Sequence, residues 1–276
     1  MVLGYNTNGF AHPRLDDAIE IMAESGYRGV ALTLDVHHLA PFDQSNPREL
    51  AYLRERLDQH GLRCVIETGA RFLIDARRKH QPTLLTTNAN ERLPRHVFML
   101  HAIDTAAKLK ADCVSFWSGT PDSDETDADL FNRLVPQCRW LADYAAERDV
   151  RLAFEPEPGM FIDTMDKFAE LHSRVNHPAF GLTVDVGHLV CNRELPVSKF
   201  LAEWKHVLWN VHIEDMRAGI HDHLMFGEGD VDFADVFAGL RAANYTGGVY
   251  VELSRHSYDA VHTARKAKAL LDRYMV

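Results

Sequence analysis

The sequence predicts an α/β fold, a single closed (β/α)8 TIM barrel spanning residues 1–276, on three observations. Short apolar runs of strand character alternate with helical stretches along the whole chain, giving eight of each. The length of 276 residues suits one barrel domain. No GxGxxG follows the first strand, which argues against an open dinucleotide-binding sheet.

Taken in order, residues 2–5 form the first strand, and Asn6-Thr7-Asn8-Gly9 reads as its exit loop. A helix over residues 14–24 carries Leu15, Ala18, Ile19 and Met22 on one stripe and stops at Ser25-Gly26. Residues 29–35 form the second strand, with Asp35, His37 and His38 just beyond its core. Asn46-Pro47 caps and opens the next helix, which Gly61 closes. The third strand spans residues 63–68 and carries Glu67 near its end. Residues 69–90 then break the rhythm as a long loop with the basic cluster Arg77-Arg78-Lys79-His80, the kind of segment that often serves as a lid. A helix over 92–110, a strand over 113–117, the acidic turn 122–129 and a helix to about 148 follow. Strands at 151–157, 181–186, 207–215 and 247–254 complete the set, separated by helices near 165–175, 197–204, 233–243 and 259–274.

Composition narrows the function. Hydrophobic residues make up 46% and charged residues 25%, ordinary for a globular enzyme, and no apolar run is long enough to span a bilayer. The amino terminus lacks a basic segment followed by an apolar one, so a cytoplasmic location is expected. A net charge of −10 repels polyanions, and nucleic acid is not expected as a partner. Cys64, Cys113, Cys138 and Cys191 form no CxxC pair and read as buried thiols.

The chemistry centres on Gly181-Leu182-Thr183-Val184-Asp185-Val186-Gly187-His188. Thr183 and Asp185 share one strand face and the aliphatic residues the other, and Gly187 is read as a tight turn that brings His188 beside Asp185. Glu155, Asp185, His212 and Glu252 lie 30, 27 and 40 residues apart, about one β/α unit each, so a barrel carries all four to its carboxyl-terminal rim. Parity agrees: Glu155 shares a face with Ala153 and Glu157, His212 with Asn210, and Glu252 with Tyr250 and Ser254. Singly, each has an ordinary structural explanation as a hydrogen-bonded or ion-paired residue. Together, three carboxylates at one interior point repel one another unless a cation neutralises them. Three oxygen donors and one imidazole suit a divalent ion, Mn²⁺ first, with Mg²⁺, Co²⁺ or Zn²⁺ also compatible. Glu157 could replace Glu155 as ligand or bind substrate hydroxyls.

The motifs Phe154-Glu155-Pro156, Val184-Asp185-Val186-Gly187-His188, Val211-His212-Ile213-Glu214-Asp215 and Tyr250-Val251-Glu252 together resemble the xylose isomerase-like barrel superfamily, particularly its sugar epimerases and sugar phosphate isomerases. The resemblance implies that Glu155, Asp185, His212 and Glu252 bind one divalent ion. It also implies that Glu155 and Glu252 double as acid/base groups, that His188 contacts substrate, and that copies of the chain could associate. His221-Asp222-His223 resembles a segment of the multi-zinc apurinic endonucleases of the same superfamily, so His188, His221 and His223 could hold a second metal. The third strand ends in Glu67-Thr68 and the fourth in Trp117-Ser118, without the histidines a third metal would need.

A ketose or related polyol chelated at such an ion loses the proton between carbonyl and hydroxyl more easily, giving an enediolate. The expected activity is that of a divalent-metal-dependent sugar or sugar phosphate isomerase or epimerase. The alternatives are a multi-metal phosphoester hydrolase of the apurinic endonuclease type and a barrel that binds metabolites without turnover. Arg217 and the Arg77–His80 cluster could bind a substrate phosphate or carboxylate, and Trp117 could stack on a sugar face.

Overall fold

The computed structural model describes residues 1–40, 47–69 and 71–275. Eight parallel strands close a barrel: β1 (Val2–Asn6), β2 (Gly29–Thr33), β3 (Arg63–Glu67), β4 (Val114–Phe116), β5 (Leu152–Phe154), β6 (Phe180–Asp185), β7 (Leu208–Ile213) and β10 (Gly248–Val251). Their order follows the chain, and β10 pairs with β1 to seal the ring. Outside the barrel, β8 (Asp215–Arg217) and β9 (Ile220–Leu224) form an antiparallel hairpin.

Helices α1 (Leu15–Glu24), α2 (Pro47–Gln59), α3 (Ala89–Leu109), α4 (Asp127–Ala146), α5 (Met165–Val175), α7 (Val197–Glu203), α8 (Phe233–Ala242) and α9 (Ala260–Leu271) follow their strands as the alternation requires. The main apolar core lies between these helices and the outward strand faces, where Val30, Ile66, Phe154, Leu182, Val211 and Val251 are fully or almost fully enclosed. A second, smaller core fills the barrel itself with Ala31, Val65, Cys113, Ala153 and Tyr250. Tyr250 determines its shape. A β-carbon on Gly4 or Gly248 would stand 2.3 or 2.4 Å from its ring, so those strands need glycine to pass it. All four cysteines are free and buried.

Three local expectations are corrected. Gly187 makes no turn: β6 runs directly into a short helix, α6 (Val186–Cys191), because the Asp185 carboxylate caps it by accepting from His188 N at 2.9 Å. The seventh strand ends at Ile213, and Asp215 opens the hairpin instead of closing the strand. Helix α3 begins at Ala89, earlier than the expected residue 92, because Asn88 caps it and Pro94 is accommodated inside. The Asn46 cap expected for α2 lies outside the described residues.

The long loop between β3 and α3 is tied down at many points. Arg95 donates from Nε to Pro82 O and from Nη2 to His80 O, both at 2.8 Å, while Gln137, Arg133 and Arg92 donate to the carbonyls of Leu84, Leu85 and Thr86. These bonds satisfy the backbone of a segment without regular structure and make it a fixed wall of the barrel mouth.

Candidate active site

Parallel strands present their carboxyl ends on one rim, and four of them place a ligand-type side chain there. Glu155 follows β5, Asp185 ends β6, His212 lies near the end of β7, and Glu252 follows β10. One ligand atom from each lies within 4.8 Å of the others. His212 Nδ1 stands 2.9 Å from Glu155 Oε1 and 3.0 Å from Glu252 Oε2, so the imidazole edge lies between the two glutamates.

Each of these groups is held from behind. The far nitrogen of the ring, His212 Nε2, donates to Glu67 Oε1 at 2.9 Å, and Asn210 Nδ2 donates to the same oxygen at 3.1 Å. A carboxylate can only accept, so Nε2 carries a proton, and this bond fixes the ring in the orientation that turns Nδ1 towards Glu155 and Glu252. Asn8 donates from Nδ2 to Glu252 Oε1 at 2.8 Å. Asp185 uses Oδ1 to cap α6 and leaves Oδ2 buried with no hydrogen-bond partner.

Burial of so many acids has electrostatic consequences. It pushes the Glu155 carboxyl up to about 8, against the pull of His212 and with a further push from Glu252 and Asp185. Burial also opposes ionisation of Glu252 and Asp185, but it is outweighed. His212, His223 and Asn8 hold Glu252 below its ordinary value, and His188 and His223 do the same for Asp185. Burial disfavours the His212 cation, yet Glu67, Glu155 and Glu252 raise its pKa well above the usual imidazole range. A divalent cation fits the donor set: it would neutralise these carboxylates and give the buried Asp185 Oδ2 a partner.

Beside this cluster stands a histidine group. His188 donates from Nδ1 to Pro156 O at 3.1 Å, which leaves Nε2 to accept from His221 Nε2 at 3.0 Å. His223 donates from Nδ1 to Glu252 O at 3.2 Å, and one nitrogen from each of the three histidines meets the others within 4.8 Å. Burial lowers the pKa of His188, and burial together with the two neighbouring histidines lowers His221 to about 4, so both rings are neutral and suited to ligation at pH 7. Glu214 packs under this group, fully enclosed, and neither of its oxygens has a hydrogen-bond partner among the described residues. It explains Gly187, because a β-carbon there would stand 2.0 Å from Glu214 Oε1.

The cavity above the cluster has a volume of about 440 Å³. Trp117 lines it, packed under the Arg95 guanidinium at 4.8 Å and edge-on to His80 at 5.1 Å. Glu157 lines it as well, its carboxyl pushed well above the usual range by burial and by Glu155, Glu252 and Asp185. Of the basic cluster, Lys79 and His80 reach the cavity, whereas Arg78 pairs with Asp75 at 2.6 Å and Arg77 is exposed outside the lining. Arg217 is exposed on the hairpin, bonded to Glu228 O at 3.1 Å, and does not line the cavity.

The profile of the xylose isomerase-like TIM barrel family matches residues 19–274. The chain belongs to that family. Inosose dehydratase of Clostridium botulinum (strain Alaska E43 / Type E3) is 27% identical over 264 residues, covering 86% of this chain and 81% of the relative. Among solved structures, a D-tagatose 3-epimerase-like protein superposes with a TM-score of 0.81 at 19% identity, over 100% of this chain and 97% of its own. A zinc-bound IOLI protein superposes with a TM-score of 0.77 at 18% identity, over 99% and 97%.

Within this member of the family, the structure brings together Glu155, Asp185, His212, Glu252, His188, His221, His223, Glu157 and Trp117, and leaves Arg217 outside. Asn8, Glu67 and Glu214 also belong to the site, though the sequence alone does not single them out. Glu67 carries a readable signal, since it falls on the inward parity of β3, and Glu214 continues the Asn210–His212 parity one residue past the end of β7. Asn8 sits in a 3₁₀ turn after β1, where no periodicity marks it.

Proposed function

We propose that the chain is a divalent-metal-dependent sugar or sugar phosphate isomerase or epimerase. The observation that carries this reading is the pair Glu155 and Glu252, both within 3.0 Å of one His212 nitrogen at the floor of a polar cavity. Glu155, Asp185, His212 and Glu252 would hold the ion, Mn²⁺ being preferred for three oxygen donors and one nitrogen. When bound, it supplies Lewis-acid polarisation of a substrate carbonyl and its neighbouring hydroxyl.

The chain's own groups then move the proton. Glu252, held ionised by His212 and Asn8, takes the proton from the carbon beside the carbonyl. Glu155, on the other side of His212 Nδ1, delivers a proton to the opposite face, which inverts that carbon. Return of the proton to the adjacent carbon by a single glutamate gives aldose–ketose isomerisation instead. Glu157, His188 and Trp117 orient the polyol; His188 is fixed for this by its bond to Pro156 O. The named relatives, a dehydratase and a 3-epimerase-like protein, fit the same proton abstraction beside a carbonyl.

The test is a panel of ketoses, inosose-like ketones and their phosphates in heavy water with Mn²⁺ present. Deuterium entering the carbon beside the carbonyl is the expected result, and its absence from every compound would overturn the proposal. The histidine group favours the competing reading of a multi-metal phosphoester hydrolase. Metal analysis separates them: about one ion per chain accords with proton transfer, and two or three zinc ions with hydrolysis.

A further inference from the structure

We propose that the cavity wall built by Arg71 and Lys79 takes an anionic terminal group of the substrate, while the carboxylate cluster of the same cavity takes its carbonyl end. This rests on the reading of the site as a polyol-processing centre and narrows its substrate class to ketoses carrying a phosphate or carboxylate.

Three observations support it. The first is where the charges fall. In a chain of net charge −10, Arg71, Lys79 and Arg255 all line one cavity. Arg255 is already paired with Asp222, so its charge is largely answered. Arg71 and Lys79 have no carboxylate within ion-pair distance among the described residues, while Arg78 of the same loop is neutralised by Asp75. An uncommitted cation at a cavity mouth rim, next to others that are paired off, marks a place where the negative partner arrives with the ligand.

The second is how the wall is built. His80 N donates to Arg71 O at 2.6 Å, which closes the arch and sets residues 71 and 79–80 side by side. Arg95, buried beneath Trp117, fixes that arch through His80 O and Pro82 O. Burial lowers the pKa of its guanidinium only to about 9, so it stays charged at neutral pH and keeps both bonds. The two exposed cations therefore stand on a pinned backbone and do not depend on loop closure to meet a ligand.

The third is the division of labour across the cavity. The floor is rich in acids and would repel an anion, whereas this wall attracts one. A molecule with a ketose at one end and an anion at the other is thus oriented by electrostatics before any hydrogen bond forms. Lys79 also faces Glu157 electrostatically. Should its role be only to balance Glu157, neutral and anionic substrates would depend on it equally.

The experiment compares the metal-loaded protein with the double variant Arg71→Ala/Lys79→Ala, both residues being exposed so that the fold is kept, and with the milder Lys79→Gln. Substrates are matched ketoses bearing a terminal hydroxyl, phosphate or carboxylate, followed by deuterium exchange, and inorganic phosphate binding is titrated calorimetrically without any substrate. The expected result is a kcat/KM at least about tenfold higher for an anionic ketose than for its neutral counterpart, a preference erased in the double variant through KM with kcat held, and partly reduced in Lys79→Gln. Preference for the phosphate or for the carboxylate identifies which anion the wall was built for. Equal use of neutral and anionic ketoses, or a preference the double variant retains, overturns the proposal. If no ketose exchanges deuterium, the reading of the reaction fails by itself, and the phosphate titration decides the subsite: binding lost in the double variant supports it, and no binding to the unaltered protein overturns it.

Discussion

Glu67 offers the sharpest test of how the site is organised, because it touches no expected ligand position except through His212. Replacement by Gln keeps the size and one acceptor oxygen but removes the charge that fixes the His212 Nε2 proton. In the structure that oxygen receives two bonds, from His212 Nε2 at 2.9 Å and Asn210 Nδ2 at 3.1 Å, in a setting where Glu67 is only 4% exposed. Loss of an outer partner of a metal-binding histidine costs about 10–100-fold in affinity, which corresponds to about 1.4–2.7 kcal/mol. Glu67→Gln should weaken Mn²⁺ binding by that factor in a competitive chelator titration and lower turnover at limiting metal. Saturating metal should restore most of it, since neither glutamate that moves the proton is altered. Binding within twofold of the unaltered protein, with the fold intact by circular dichroism, would refute the argument that Glu67 sets the state of His212.

Other consequences can be measured independently. Glu252→Gln should slow deuterium exchange by about 10²–10⁴-fold, the usual contribution of a general base; exchange at the unaltered rate contradicts its role. Metal affinity should rise with pH up to about 8, because Glu155 is pushed up to about 8 and the His212 pKa is raised well above 6.5, and both must release protons to ligate. Calorimetry at pH 7 in buffers of different ionisation enthalpy should therefore show at least one proton released per ion, and none would contradict the electrostatics. Gly187→Ala gains about 1 kcal/mol of helix propensity but sets a β-carbon 2.0 Å from Glu214 Oε1 and 2.8 Å from Met216 Cε, both on enclosed side chains. Overpacking of this kind costs about 1–3 kcal/mol, so a net loss of stability in denaturant titration, together with weaker metal binding, is expected; a more stable variant would show that Glu214 can move aside.

Much of this was legible in the sequence because barrels write their geometry into strand parity. The four expected ligands lie on inward positions at the ends of four strands, and those strands form with the predicted faces. Tyr250 and Ala153, which share faces with Glu252 and Glu155, fill the barrel interior as that parity demands. What escaped lies where periodicity stops. Asp185-Val186-Gly187-His188 contains a glycine that suggests a turn, but an aspartate whose oxygen caps the next three residues turns the same string into a helix start. The hairpin is too short, with only three residues in β8, to show alternation. Lys79 belongs to the basic cluster legible in the sequence, but that it lines the cavity while Arg77 and Arg78 do not depends on residues distant in sequence, Arg95 above all, which fix the arch that carries it. Arg217 shows the converse: its place after the His212 motif suggested substrate contact, yet the hairpin directs it towards Glu228 O.

The ends of the third and fourth strands bear on the choice between proton transfer and hydrolysis. A multi-metal hydrolytic centre would draw ligands from them, but here their side chains are already committed. Glu67 accepts from His212 and Asn210, Thr68 donates to Ser115 O, and Ser118 donates to Gly119 O while accepting from Ile162 N. Trp117 is held between Arg95 and His80. Among the described residues, no group of side chains able to share an ion draws a member from either strand end. The neighbouring histidine group stands close to the first cluster, with His188 Nε2 at 3.7 Å from Asp185 Oδ2. An ion there would sit beside the first one and share its anionic surroundings. The acids of this barrel are thus concentrated on a single point, which supports the proposed proton transfer, and Glu67 at the end of the third strand holds His212 in place among them.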